Sequence, residues 1–271
     1  MIYYRKKNAM KIAEIWYNYE EKPDRKTDVL RYKFVAENKR DAASFEELWT
    51  LLIDLTKPED ELFSHIRKNT RYEINRAKNK DGAQCFTLLE KDEENMEKLL
   101  QYIDFFNIFA ESKKRSRVDY SDVKQFYENK TFCVRYITDG DGAILTMHAY
   151  VVSDGTARLH QSSSLFRNVA DAETRNMIGR ANRLLHWNDI LFFKHAGVRY
   201  YDFGGWYGET TGTYAEQLLI NQFKESFGGE KKQEYSFITP SSFLGQIATA
   251  FHSALDAVKE TRRISPRNLC L

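Results

Sequence analysis

Asp202, Gly204, Gly205 and Lys224 are the residues of this 271-residue chain whose types and spacing could most readily do chemistry together. They lie in the stretch 187–229, WNDILFFKHAGVRYYDFGGWYGETTGTYAEQLLINQFKESFGG. It reads as the end of a helix, a stop at Gly197, a short strand over 198–203, a glycine turn, a second helix over 213–226 and a second glycine stop. An acid, a glycine pair and a basic residue then meet at the mouth of one α/β unit, where ligands of open α/β sheets bind. Taken alone, Lys224 is a helix-end cation favoured by the helix dipole. Asp202 reads either as an acid that orients an acceptor or as the cap of the Gly204 turn.

Other residues offer weaker signals. His148, on a central strand, is a candidate general base because imidazole titrates near neutral pH, or else a structural histidine. With a two-residue turn at Asp154-Gly155, it falls opposite Gln161 and His160 points to the other face. Gly179, Arg180, Asn182 and Arg183 precede the Trp187 helix. They read either as an anion site built on free N–H groups at a helix start, or as an ordinary helix start with exposed arginines. Arg67, Lys68 and Arg71 begin the basic face of a helix, which reads as solvated or as an electrostatic groove for an anionic substrate. With Trp187, Gly204, Gly205 and Trp206 they form the substrate-side set. The basic run 113–117 (KKRSR) reads as a solvated loop.

Composition narrows the class. Hydrophobic residues make up 42% and aromatics 14%, a globular composition. Lys+Arg is 41 against Asp+Glu 39, so bulk charge gives no case for nucleic-acid binding, and any basic footprint must be local. Cys85, Cys133 and Cys270 are not motif-spaced, which argues against a zinc site or a disulfide framework. With no long apolar run and no signal-peptide pattern, a soluble cytoplasmic protein is expected.

The elements that must position these residues follow from pattern. Residues 11–20 and 28–37 alternate and read as a hairpin. Residues 44–55 read as a helix with a Ser44/Glu47 capping box, and Pro58 opens a long helix to residue 78. Strand 84–89, helix 93–111 and helix 120–129 follow, then strands 132–137, 143–152 and 156–162. Residues 167–177 are ambiguous. Strand 233–238 precedes a C-terminal helix to residue 262. Its stripe Phe243, Leu244, Ile247, Phe251, Ala254, Leu255 and Val258 packs on a domain or partner subunit, or lies on a membrane surface beside Lys259, Arg262, Arg263 and Arg267. The expected division is an extension over 1–55, an α/β domain over 56–240 and a helix and tail over 241–271.

The helix RANRLLHWNDILFFKHAG, the strand RYYDFGG, the helix QFKESFGG and the earlier basic helix SHIRKNTRYEINRAKNKDG resemble the FemAB-like acyltransferases of the GNAT superfamily, including BioF2-like single-domain enzymes. The resemblance spans about residues 61–237. It implies a GNAT-like α/β fold: a mixed twisted sheet flanked by helices, opened where two central strands splay. It implies transfer of an acyl or aminoacyl group to an amine, less often a hydroxyl. It places Phe223 and Lys224 at the donor end, the lysine stabilising developing negative charge. The expected activity is N-acyl transfer from acyl-CoA to a small or lipid-linked amino acceptor, such as an amino sugar of cell-envelope or secondary-metabolite synthesis, without a metal. Donor phosphate would rest on Arg180 and Arg183. The alternatives are an aminoacyl-tRNA donor of the Fem type and a non-catalytic binding protein. Two departures stand: one domain rather than two, and a poor coenzyme A loop at residues 167–172, where Asp171 would repel a pyrophosphate.

Overall fold

The computed structural model describes residues 1–7, 9–40, 42, 44–207 and 215–250. Contacts divide the chain into two compact units, Met1–Leu48 with the chain from Gln233 onward, and Trp49–Lys232. The boundaries expected at 55/56 and 240/241 thus fall at 48/49 and 232/233 in the contact pattern.

In the first unit the strands lie in the order β1 (Ile2–Lys7), β2 (Met10–Trp16), β3 (Val29–Val35) and β10 (Glu230–Pro240). β1 and β2 form the hairpin, from Lys7↔Met10 outward. The hairpin expected between 11–20 and 28–37 is corrected: β2 and β3 run parallel, Ile12 opposite Val29. The connection over 17–28 is long enough to carry the chain back and start again in the same direction, which a tight turn cannot do. Ile15, Tyr32, Val35 and Phe237 fill this unit's core, with Tyr32 stacked on Phe237 at 4.8 Å.

The second unit holds the strand order β4 (Ser44–Asp54), β9 (Tyr200–Gly205), β8 (Thr156–Ser164), β7 (Ile144–Ser153), β6 (Phe132–Thr138) and β5 (Gln84–Leu89). β8 and β9 are parallel and the neighbouring pairs antiparallel, a mixed GNAT-like sheet. Residues 44–55 are strand, not helix. Glu47 is bonded to Arg40 rather than closing a capping box, and Leu52 and Ile53 pair with Asp202 and Tyr201. Pairing against a buried strand overrides the helix preference of Leu and Glu.

The helices are α1 (Glu59–His65), α2 (Lys68–Asn79), α3 (Met96–Ser112), α4 (Tyr120–Glu128), α5 (Ala172–His195) and α6 (Ala215–Glu225). The expected helix over 58–78 breaks at Ile66, which is extended and buried, and the Arg67 N–H leaves the helix to reach Ser226 O at 2.8 Å. α5 starts earlier than expected, because Asp171 caps it by accepting the Thr174 N–H at 2.7 Å. Leu184, Leu185, Ile190 and Phe193 of α5 join Leu51, Ile53, Tyr150 and Tyr201 in the main core. Residues 243–250 are helical and expose Phe243, Leu244 and Ile247; the rest of the expected C-terminal stripe lies outside the described residues. No helix among the described residues is long and apolar enough to cross a membrane.

Candidate active site

Three segments build the site: the crossover β8–α5–β9, the glycine turn after β9, and α6. The ladder between β8 and β9 runs from Thr156↔Tyr200 to Arg158↔Asp202. Just beyond it Gly204 adopts φ +68°, and a Cβ there would sit 2.9 Å from Leu159 O, so only glycine fits without strain. Asp202 sets the turn. Its buried carboxylate accepts the Gly204 N–H at 2.7 Å, the Thr50 hydroxyl and the Arg158 guanidinium at 2.5 Å. Of its two expected roles, this geometry is that of the cap.

Lys224, in the last turn of α6, reaches back over this turn. Its Nζ donates to Gly205 O and, at 3.3 Å, to Gly204 O. Among the described residues no carboxylate lies within ion-pair distance of it; Asp202 acts on it only through space. Burial, the largest effect, lowers its pKa to about 8. The result is a partly desolvated cation held by carbonyls, with an ammonium proton to spare. Phe223 packs on His186 and Phe227, and Arg183 lies over the Phe223 ring at 5.1 Å. Arg67 ties the start of α2 to the end of α6 through Ser226 O and a 3.6 Å contact with Glu225. Trp206 Nε1 meets the same Glu225 at 3.2 Å.

Beneath Lys224 runs a buried polar row that the sequence reading did not assemble. His186, at ring contact with Phe223, is bonded to Tyr201 OH at 2.7 Å. Tyr201 OH meets Tyr150 OH at 2.9 Å, and Tyr150 OH donates to Asp189 at 2.6 Å. Asp189 also accepts from Arg135 Nε at 2.6 Å and faces His148 Nδ1 at 2.8 Å. Burial holds His186 well below its usual pKa, hence neutral, and keeps Tyr150 and Tyr201 protonated. The signal was present in spacing. His148 and Tyr150 share a strand face at i, i+2, and Asn182, His186 and Asp189 share a helix face at i, i+4 and i, i+7.

His148 itself is fully buried, its second nitrogen 2.9 Å from Asn182 Oδ1. It pairs with Ser162, not Gln161, because a bulge at His160 shifts the register by one. The anion site expected at 179–183 loses its physical basis. Gly179 lies inside α5, where its carbonyl accepts from Arg183 at 2.9 Å. Arg180 is paired with Asp81 and Arg183 with Glu73, each at 2.6 Å. Lys68 is exposed on α2, and Arg71 bonds Ser64 O. Trp187 lies away from Lys224, against Phe63, lining a cleft of about 470 Å³ with Ile74 and Leu184. The Gly205 carbonyl accepts from Lys224, and the Trp206 indole N–H meets Glu225, the residue after Lys224. Among the described residues no metal-ligating cluster forms.

The comparisons agree with this architecture. A structure of FemX matches with a TM-score of 0.64 at 10% identity, over 93% of this chain and 86% of FemX. The C-terminal domain of a protein described as a lysylphosphatidylglycerol synthetase, from Agrobacterium fabrum, matches with a TM-score of 0.52 at 14% identity, over 94% and 84%. No protein-family profile and no curated protein matches the sequence. The fold is that of FemX and of this synthetase domain, and the likeness to FemX spans most of the chain.

Proposed function

We propose that the chain transfers an acyl or aminoacyl group to an amine, with Lys224 stabilising the oxyanion. One observation carries the reading: the Lys224 ammonium is partly desolvated, is held by the Gly204 and Gly205 carbonyls, and has no ion-pair partner among the described residues. When an amine attacks an ester or thioester carbonyl, the carbonyl oxygen becomes anionic. A preorganised cation in a poorly solvated site stabilises that charge more than it stabilises the neutral ground state. Collapse expels the leaving group, which takes up a proton as the amine loses one. Asp202 acts as a positioning residue that sets the glycine turn. His148, enclosed by Asp189 and Asn182, supports the core of the site rather than meeting the acceptor.

Of the two donors expected, the geometry favours an aminoacyl ester on tRNA over acyl-CoA. A compact pyrophosphate site needs open N–H groups or free cations at a helix start. Here Asp171 closes the start of α5, and Arg180 and Arg183 are engaged by Asp81 and Glu73. The lysyl group in the name of one fold neighbour is in keeping with an aminoacyl cargo. The acceptor is an amine on a small or lipid-linked molecule.

The test is direct binding and single-turnover transfer. Acetyl-CoA and charged tRNA are titrated at low and moderate salt, then each is mixed with amino-sugar acceptors. The reading expects tRNA binding that falls steeply with salt as counterions are released, and transfer that Lys224→Met slows by about 10²–10³. Acyl-CoA binding with transfer would reverse the donor assignment, and no binding of either would leave a non-catalytic protein.

A further inference from the structure

Positive charge concentrates at the start of the chain. Residues 1–40 hold eleven Lys and Arg against six Asp and Glu, a surplus of five in a chain whose net charge is +2. On β2 the side chains alternate, with Ile15 in the first unit's core and Glu14 on the opposite face. Glu14 is nonetheless fully buried, because three cations cover it. Arg5 binds it at 2.8 Å, Lys33 lies at 3.4 Å and Arg31 at 4.0 Å, while Trp16 Nε1 donates at 2.9 Å. None of the three cations has another carboxylate partner among the described residues. One negative charge therefore faces three positive ones.

The cluster is frustrated as well as unbalanced. The Nε atoms of Arg5 and Arg31 are buried and make no hydrogen bond. Burial lowers the pKa of Lys33 and of Arg31, and neighbouring cations add to it: Arg31 and Arg5 for Lys33, Arg5 for Arg31. Charged edge strands are a common guard against sheet-to-sheet pairing, and that accounts for exposed Lys6 on β1. It does not account for cations crowded and half-desolvated around one carboxylate.

We infer that this face of the first unit binds a small phosphate-bearing ligand, a phosphomonoester or diphosphate, whose dianionic group is gripped by Arg5, Arg31 and Lys33. Guanidinium forks match phosphate oxygens in pairs, and a charge of −2 balances the surplus around Glu14.

Calorimetric titration of the full chain with inorganic pyrophosphate, methyl phosphate and ADP tests this. Saturable one-to-one binding is expected. Arg31→Met and Lys33→Met should each weaken it about 10–100-fold, the range for one charge-assisted bond. Glu14→Gln should tighten it, because the internal competitor for the cations is gone. Thermal melting confirms that each variant folds, and two independent cation variants guard against the loss of one. Absence of saturable binding by all three probes overturns the inference. So does equal binding by wild type and both cation variants, or a single-stranded RNA oligomer that binds where the small phosphates do not.

Discussion

Asp202 and Gly204 form one device: the carboxylate of the first accepts the backbone N–H of the second at 2.7 Å, and the Gly204 carbonyl that results faces Lys224 Nζ at 3.3 Å. The cation's position is therefore set through backbone, not through a counter-ion that would quench it.

Gly204→Ala should destabilise the protein by about 1–3 kcal/mol, the cost of a side chain held in the left-handed region, with the approach to Leu159 O added. Denaturant unfolding at a fixed temperature measures it. Gly205→Ala, where a Cβ would meet nothing within 4 Å, is the control and should cost far less.

Lys224→Met should cut turnover by about 10²–10³. The rate should also fall as pH rises through about 8, where the wild-type ammonium loses its proton. Stability should move the other way. Because the folded pKa lies below the ordinary value of 10.5, the unfolded chain binds more protons between about 8 and 10.5. This group's penalty is full below that window and is relieved as pH rises through it. Comparing wild type and Lys224→Met across pH 7–11 reads both slopes; a rate that stays flat through pH 8 removes Lys224 from the chemistry.

Asp189→Asn should be among the most damaging single changes, at about 3–5 kcal/mol, because it leaves Arg135 buried with its charge unmatched. The double change Asp189→Leu with Arg135→Met should recover much of the loss, since it removes both charges. Melting temperatures of the two variants decide it; a double variant no better than the single would mean that His148 and Tyr150 depend on the carboxylate more than Arg135 does.

Asp171→Ala should cost about 1 kcal/mol by uncapping α5. The same change opens N–H groups at the start of the helix. Sulfate should then protect the variant against heat more than it protects wild type.

The stretch around Lys224 was legible because its signals are local: helix stops, a strand bounded by glycines, a basic residue near a helix end. The strands from β5 to β8 were legible for the same reason, their turns being marked by Asp and Gly. β4 was not, because Glu and Leu favour helix and only the partner strand β9 makes that segment extended. The parallel pairing of β2 and β3 was hidden because alternation reveals a buried face but not direction. At the candidate site, Lys224 and Phe223 were singled out by resemblance and Asp202 by its place before the turn. Asp189 and Arg135 were missed because their partners lie on other elements, and Arg180 was misread because Asp81 is remote in sequence.

The bulge in β8 has an evolutionary reading. Tyr150 pairs with Leu159 and Ala149 with Gln161, so His160 is one residue more than the ladder needs. Lengthening or shortening a strand by one residue elsewhere would turn every later side chain to the wrong face. At position 160 the chain can shed a residue while the pairings on both sides keep their partners, and Gln161 keeps its bond to Tyr102. Single-residue gaps among distant relatives should therefore collect here, and a comparison that forbids a gap at this point would set His148 against the wrong neighbour.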